Sequence, residues 1–140
     1  MSLSIHFPKL GDANHKITSE QTIEYNCIAW AAGESKRWWD IAAGYYWPEG
    51  MEKSNKATAL IEVFRQLGYT ETGEPNYEQG FEKVAIYAAF GEFTHVARQL
   101  KNGKWTSKLG DLEDIEHCTL DVLEGSVYGT LLVVLKRPLK

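Results

Sequence analysis

The dipeptide Asn102-Gly103 constrains this chain more than any other pair of residues in it. A two-residue hairpin turn needs positive φ at both central positions, which Asn and Gly accept most readily, so the pair makes antiparallel neighbours of the segments beside it. Those segments carry the matching signal. Residues 94–100 (Thr-His-Val-Ala-Arg-Gln-Leu) and 105–109 (Trp-Thr-Ser-Lys-Leu) read as the two strands of that hairpin. Residues 83–88 (Lys-Val-Ala-Ile-Tyr-Ala) read as a further strand. Residues 129–136 (Gly-Thr-Leu-Leu-Val-Val-Leu-Lys) have the unbroken apolar centre of a strand covered on both faces. Between them, residues 111–116 read as an acidic connection and residues 120–123 as a short helix.

The upstream half carries helical signals instead. Ser54 or Asn55 can cap a helix in which Leu60, Val63, Phe64 and Leu67 recur at three and four, and Gly68 suits its end. Thr18-Ser19-Glu20-Gln21 offers a second cap, for a helix running through Cys27 to Gly33. The loop between them holds Trp38, Trp39, Tyr45, Tyr46 and Trp47, large rings best explained as core packing. At 140 residues and 44% hydrophobic, the chain can bury one core. The expected fold is therefore a single α+β domain over residues 1–140. Its helical half, about 18–68, packs on a small antiparallel sheet from the strand-rich half, about 81–137.

Charge and composition exclude several functions. The formal net charge is −4 and the Lys and Arg residues are dispersed, so nucleic acid is not an expected partner. No apolar run reaches the length of a membrane span, and residues 1–10 lack the basic start and apolar stretch of a signal peptide. The expectation is a cytoplasmic protein, or one exported by a route without a classical signal peptide, with no membrane partner. Two cysteines make no disulfide framework, and His6, His15, His95 and His117 are scattered, so neither a metal nor another cofactor is expected.

Cys27 stands where a polar lead-in becomes a short apolar helix, in Glu24-Tyr25-Asn26-Cys27-Ile28-Ala29-Trp30. The unpartnered N–H groups of a helix's first turn stabilise a thiolate, so the position suits a nucleophile. A buried packing cysteine fits the same apolar stretch. His95 opens a strand, where an ordinary backbone-bonded histidine is equally at home.

A cysteine on an N-terminal helix followed by a histidine at a strand start resembles the papain-like cysteine hydrolases, in particular the compact NlpC-like bacterial domains. Tyr25-Asn26-Cys27 and His95-Val96-Ala97 carry the resemblance, over roughly residues 21–136. The Cys-Gly-Ser/Ala-Cys-Trp/Tyr signature of papain is absent. The resemblance implies Cys27 as nucleophile and His95 as base and then acid. An oxyanion donor would come from Gln21, with Asn26 competing, beside the Cys27 amide.

It also implies a residue after the histidine strand that orients the imidazole, and the hairpin register decides which. With a two-residue loop Leu100 faces Trp105 and His95 falls opposite Gly110, leaving Thr106 and Lys108 on the histidine's face. With a glycine bulge Gln99 pairs with Ser107 and His95 falls opposite Asp111. Asp111 is the expected orienter, with Ser107 and His117 as fallbacks. His117-Cys118 has the residue types of a second pair, but adjacent residues of an extended segment point to opposite faces, so the two are not expected to cooperate.

The implied activity is a thiol hydrolase or acyltransferase acting on an amide or isopeptide bond of a peptide or amide substrate, and a deamidase would use the same site. The alternative is a non-catalytic protein-interaction module with the same fold, meeting a protein partner through the aromatic loop or the acidic segment.

Overall fold

The computed structural model describes residue 7 and residues 15–19, 27–32, 39–40, 46–108, 114–125 and 127–139. Strands β1 (His15–Ser19), β2 (Thr70–Thr72), β3 (Phe81–Ala89), β4 (Glu92–Gln99), β5 (Trp105–Lys108), β6 (Asp114–His117) and β7 (Thr130–Pro138) form one sheet. Its order is β1-β6-β5-β4-β3-β7-β2, with antiparallel pairing throughout. Two α-helices accompany it, α1 (Cys27–Ala31) and α2 (Ala57–Gln66), with a 3-10 turn at Asp121–Leu123.

This overturns the α+β expectation. The described chain is largely β, and the helical half supplies one helix of ten residues and one of five rather than a helical layer on a small sheet. The papain-like arrangement of N-terminal helices packed on a small antiparallel sheet is not what the chain builds. The physical reason lies in segments that read as linkers. Residues 15–19, of which Thr18 and Ser19 read as part of a helix cap, extend and pair with β6. Residues 114–117, expected as part of an acidic connection, extend and pair with β5. There Ile115 and His117 alternate inward.

β3 lies inside the sheet between β4 and β7 and is buried without interruption from Lys83 to Ala88. Its even residues, Val84 and Ile86, join Val96, Leu135, Leu60, Val63, Phe64, Trp39, Trp47 and the α1 residues Ile28, Ala29 and Ala31. Its odd residues, Ala85 and Tyr87, join Phe7, Ala97, Trp105, Ile115, Val134 and the 3-10 turn. The sheet thus has a helical face and a second face covered by residue 7 and the turn. Period-two alternation divides the buried residues of β3 between the two.

α2 follows its sequence signals closely. Leu60, Val63 and Phe64 are buried, and Gly68 adopts φ 100 just past the end, where a side chain would be strained. Its first turn is capped by another element rather than by Ser54 or Asn55: the Ala57 N–H donates to the Gly91 carbonyl of the β3–β4 turn. Lys83 is only 1% exposed, and its Nζ donates to the carbonyls of Glu74 and Asn76 at 2.7 Å each, closing the loop before β3.

Candidate functional site

The two strands beside β3 each carry a bulge next to Tyr87. His95 pairs with Tyr87 while Phe93 pairs with Ala88, so Thr94 is an extra residue. On the other side of β3, Val133 pairs with Ile86 and Leu131 with Tyr87, so Leu132 is extra as well. Both neighbours of β3 therefore break register at Tyr87. Bulges bend a strand and re-aim its side chains.

The hairpin at Asn102-Gly103 takes neither register expected for it. Gln99 pairs with Trp105 and Arg98 with Thr106, and Leu100 N–H donates to the Lys104 carbonyl at 2.8 Å. Three residues, Lys101, Asn102 and Gly103, form the loop, with Gly103 at φ 87. The loop is odd, as the bulged alternative required, but the pairing is offset by two residues. Ser107 then lies diagonally across from His95 on the same face. In the same way β6 sets His117 diagonally across from Ser107.

The result is a buried line of three polar side chains crossing three strands. The His95 Nε2 is 2.9 Å from Ser107 Oγ, Ser107 Oγ is 2.8 Å from His117 Nε2, and His117 Nδ1 is 2.8 Å from the Thr119 carbonyl. All three residues are fully buried. The other ring nitrogen of His95, Nδ1, is buried and has no hydrogen-bond partner. Burial, and secondarily the neighbouring His117, holds the His95 pKa well below the ordinary histidine value. Burial thus favours the uncharged ring.

Tyr128 covers this base. Its ring stacks on His95 with centroids 4.2 Å apart and planes 5° from parallel, and Phe7 backs it at 5.0 Å. Thr94 Oγ1 donates to the Tyr128 carbonyl, so the bulge residue beside His95 also secures the loop above it. Gly125 and Gly129 close that loop with reciprocal N–H to carbonyl bonds of 3.0 and 2.8 Å. A Cβ at Gly129 would lie 2.3 Å from the Ala88 carbonyl oxygen, so only glycine lets the loop pass this close to β3.

Cys27 is half-buried as the first residue of α1, and α1 packs against β4 and β5. The hydroxyl of Tyr128 is held well above the usual tyrosine pKa by burial first, then by Cys27 and Tyr87. Tyr128 is thus the shared neighbour, stacked on His95 and in electrostatic reach of Cys27. The helix-dipole argument for Cys27 weakens here. A helix of five residues sums few peptide dipoles, so activation of the thiol would fall mainly to a base.

Of the residues expected at the site, the structure brings Ser107 and His117 to His95 and sets Cys27 near Tyr128. Asp111, the expected orienter, and Gln21, the expected oxyanion donor, lie outside the described residues, as does Asn26. Cys118, just past the end of β6, is exposed, whereas the His117 ring is buried. Sequence reasoning missed Tyr128 and the Thr119 carbonyl. The only signal for Tyr128 was its place between two glycines, and nothing marks a backbone acceptor.

Among the described residues no group of three or more His, Cys, Asp or Glu could hold a metal ion, and no helix is long and apolar enough to cross a membrane. One family model matches the chain, over residues 16–136, described as a domain of unknown function, DUF7689. No curated protein and no solved structure matches it.

Proposed function

The chain belongs to the DUF7689 family, and we propose that it is a thiol hydrolase or acyltransferase acting on an amide or isopeptide bond, with Cys27 as nucleophile and His95 as base. The observation that carries this reading is the unpartnered Nδ1 of a fully buried His95 whose other nitrogen is fixed by Ser107. A buried polar atom left without a hydrogen bond costs roughly 1–3 kcal/mol, and native structures seldom retain one without use. A base needs such an atom.

The chemistry is that of covalent acyl transfer. His95 Nδ1 takes the Cys27 thiol proton and the sulfur attacks the substrate carbonyl carbon, giving a tetrahedral oxyanion. His95 returns the proton to the leaving nitrogen, and the amine departs to leave a thioester on Cys27. Water attacks that thioester in a hydrolase and a second amine attacks it in a transferase, the same histidine removing the proton. The Cys27 amide is the backbone donor for the oxyanion.

Tyr128 must swing away for both the Cys27 thiol and a carbonyl to reach His95, because the ring is enclosed and its Nδ1 has no partner, Cys27 included, in the resting structure. If Tyr128 never opens, Cys27 is a packing residue and the chain is a protein-interaction module. The test is the rate of Cys27 alkylation by iodoacetamide at pH 7, measured on a Cys118→Ser background because Cys118 is exposed and would be labelled too. The proposed hydrolase labels at Cys27 much faster than its own denatured control, and His95→Ala removes the excess. Labelling no faster than the control supports the module.

A further inference from the structure

We infer that the end of the sheet opposite the β3–β4 turn binds a small aromatic carboxylate, an aryl ring on a short acid chain, in the cavity bordered by Tyr77, Phe81 and Lys101. The site draws on neither Cys27 nor His95.

The cavity lies where β3 begins and β4 and β7 end, and its volume is about 240 Å³. An apolar cavity of roughly 150 Å³ takes a benzene ring, so this one has room for a ring with a short chain. Tyr77 and Phe81 line it with aromatic surface, Leu100 and Leu139 with aliphatic surface, and Arg98 and Lys101 with positive charge. Leu139 is held over the start of β3 by its N–H, which donates to the Gly80 carbonyl at 2.8 Å.

The wall that carries Tyr77 is fixed from beneath. Between β2 and β3 the chain has no regular structure, yet three consecutive carbonyls are each taken by a buried side chain. Lys83 Nζ donates to those of Glu74 and Asn76 at 2.7 Å, and Gln99 Nε2 donates to that of Pro75 at 2.9 Å. Burying an ammonium is costly, and here the group that bears the cost holds in place a loop that no ladder holds. Tyr77 is the next residue, with 42% of its surface exposed. A wall fixed before the ligand arrives loses little freedom on binding.

Charge selects the ligand class. The carboxylates beside the cavity are engaged: Glu82 accepts from Arg137 Nε and the Tyr69 hydroxyl, and Glu78 is shared by Lys136 and the buried Lys83. Lys136 Nζ also lies 4.4 Å from the centroid of the Phe81 ring. Lys101, exposed at the hairpin tip, has no ion-pair partner among the described residues, and Arg98 lines the same cavity from within β4. On a chain of net charge −4, this end presents positive charge beside aromatic surface. An aryl group suits the rings and a carboxylate suits the cations. The ordinary alternative is a crevice at a sheet end that takes no ligand.

The probe is 3-phenylpropionate, titrated into the intact chain while backbone amide chemical shifts are followed. Saturable shifts should centre on Tyr77, Leu100 and Lys101. The dissociation constant should be about 1 mM or tighter, which a ligand of about eleven heavy atoms reaches at modest efficiency. 3-Phenylpropionamide, which lacks the charge, should bind about tenfold more weakly, and the acid should bind Lys101→Glu about tenfold more weakly. Tyr77→Ala, at a ring outside the core, should weaken the acid by a similar factor. Lys56→Glu makes the same charge change beside Glu92, at the other end of β4, and should bind the acid as the wild type does. Shifts still linear in concentration well beyond that dissociation constant show an empty crevice and overturn the proposal. Equal affinity for the amide, or an unchanged affinity in Lys101→Glu, overturns the carboxylate assignment. Shifts centred on Cys118 and Leu131 would place the ligand in the second cavity that Tyr77 borders and overturn the location.

Discussion

The two faces of the sheet bury similar numbers of side chains by different means. On the helical face Leu60, Val63, Phe64, Val84, Ile86, Val96 and Leu135 pack with α1 and α2 in an apolar core. On the other face Tyr87, Trp105, Ile115 and Val134 surround His95, Ser107 and His117, each fully enclosed. β3 and β4 supply both faces from alternate residues of the same strands, so the difference is not one of position in the fold. An apolar face needs only volume and shape. A face holding a polar line needs each donor and acceptor matched, and a single change leaves a group stranded. The second arrangement specifies one geometry at the expense of stability, which is the expected mark of a working site.

The largest effect that separates the faces should come from Phe64→Ala. The ring is fully buried and packs edge-on against Tyr69 at 5.5 Å, and its removal should cost about 3–5 kcal/mol in a denaturant melt. Leu60→Met, which conserves volume, should cost less than about 1.5 kcal/mol. A loss for Phe64→Ala no larger than that for Leu60→Met would mean that the ring contributes no packing to the apolar core.

Next in size is Gly129→Ala, which acts on the polar face without touching a polar atom. The added methyl meets the Ala88 carbonyl and the residue keeps φ 72, so about 2–3 kcal/mol should be lost through backbone strain and overpacking. Because Gly129 sets Tyr128 above His95, this change should also alter the Cys27 alkylation rate.

Ser107→Ala tests the polar line directly. It removes one oxygen and strands a nitrogen on each of two buried rings, so about 2 kcal/mol should be lost for a change that adds no volume. A thermal shift no larger than that of an exposed Ser→Ala would mean the line contributes nothing to the fold.

How much of this was legible follows the same division. The β3, β4 and β7 runs and the α2 face announce themselves because apolar periodicity is a local signal. Asp114-Ile115-Glu116-His117 does not, since two of its four residues are acidic and its inward residues are one apolar and one polar. β2 is only Thr-Glu-Thr, an edge strand whose pairing with β7 supplies what its composition lacks. At the site, Ser107 and His117 were legible as candidates, but their place beside His95 depended on a hairpin register that Asn102-Gly103 leaves open by whole residues. Tyr128 reaches His95 through a glycine-closed loop, a tertiary contact with no spacing rule behind it.

The pH dependence of stability should likewise come from one face. His95 is held neutral when folded, by burial first and His117 second, and its pKa lies well below the ordinary value. As pH falls through about 6.5 the unfolded chain takes up a proton at this residue and the folded chain does not. Stability should therefore decline below that point by up to about 1.4 kcal/mol per unit from this group, with no dependence from it above. The slope continues until the folded pKa is reached. His95→Gln should flatten this part of the profile in urea melts taken between pH 4 and 8, and an unchanged slope would show that another group is responsible.

The smallest expected effect tests whether the faces share one stability. Phe90 and Gly91 turn β3 into β4 with φ 55 and 80, and Phe90 is fully exposed. Such a turn favours Asn at its first central position, so Phe90→Asn should stabilise by about 0.5–1 kcal/mol through relief of left-handed strain. The turn is tied to the helical face by the Ala57 N–H on the Gly91 carbonyl and by the Phe93 N–H on the Asn55 carbonyl, and to the polar face only along the strands themselves. If β3 and β4 make the sheet one cooperative unit, the increment should be equal on the Phe64→Ala and Ser107→Ala backgrounds, because distant sites add within about 0.3–0.5 kcal/mol. An increment that survives on Ser107→Ala and vanishes on Phe64→Ala would mean that the helical face, once loosened, no longer holds the turn. The polar face would then owe its rigidity to the bulges at Thr94 and Leu132 rather than to the helices behind the sheet.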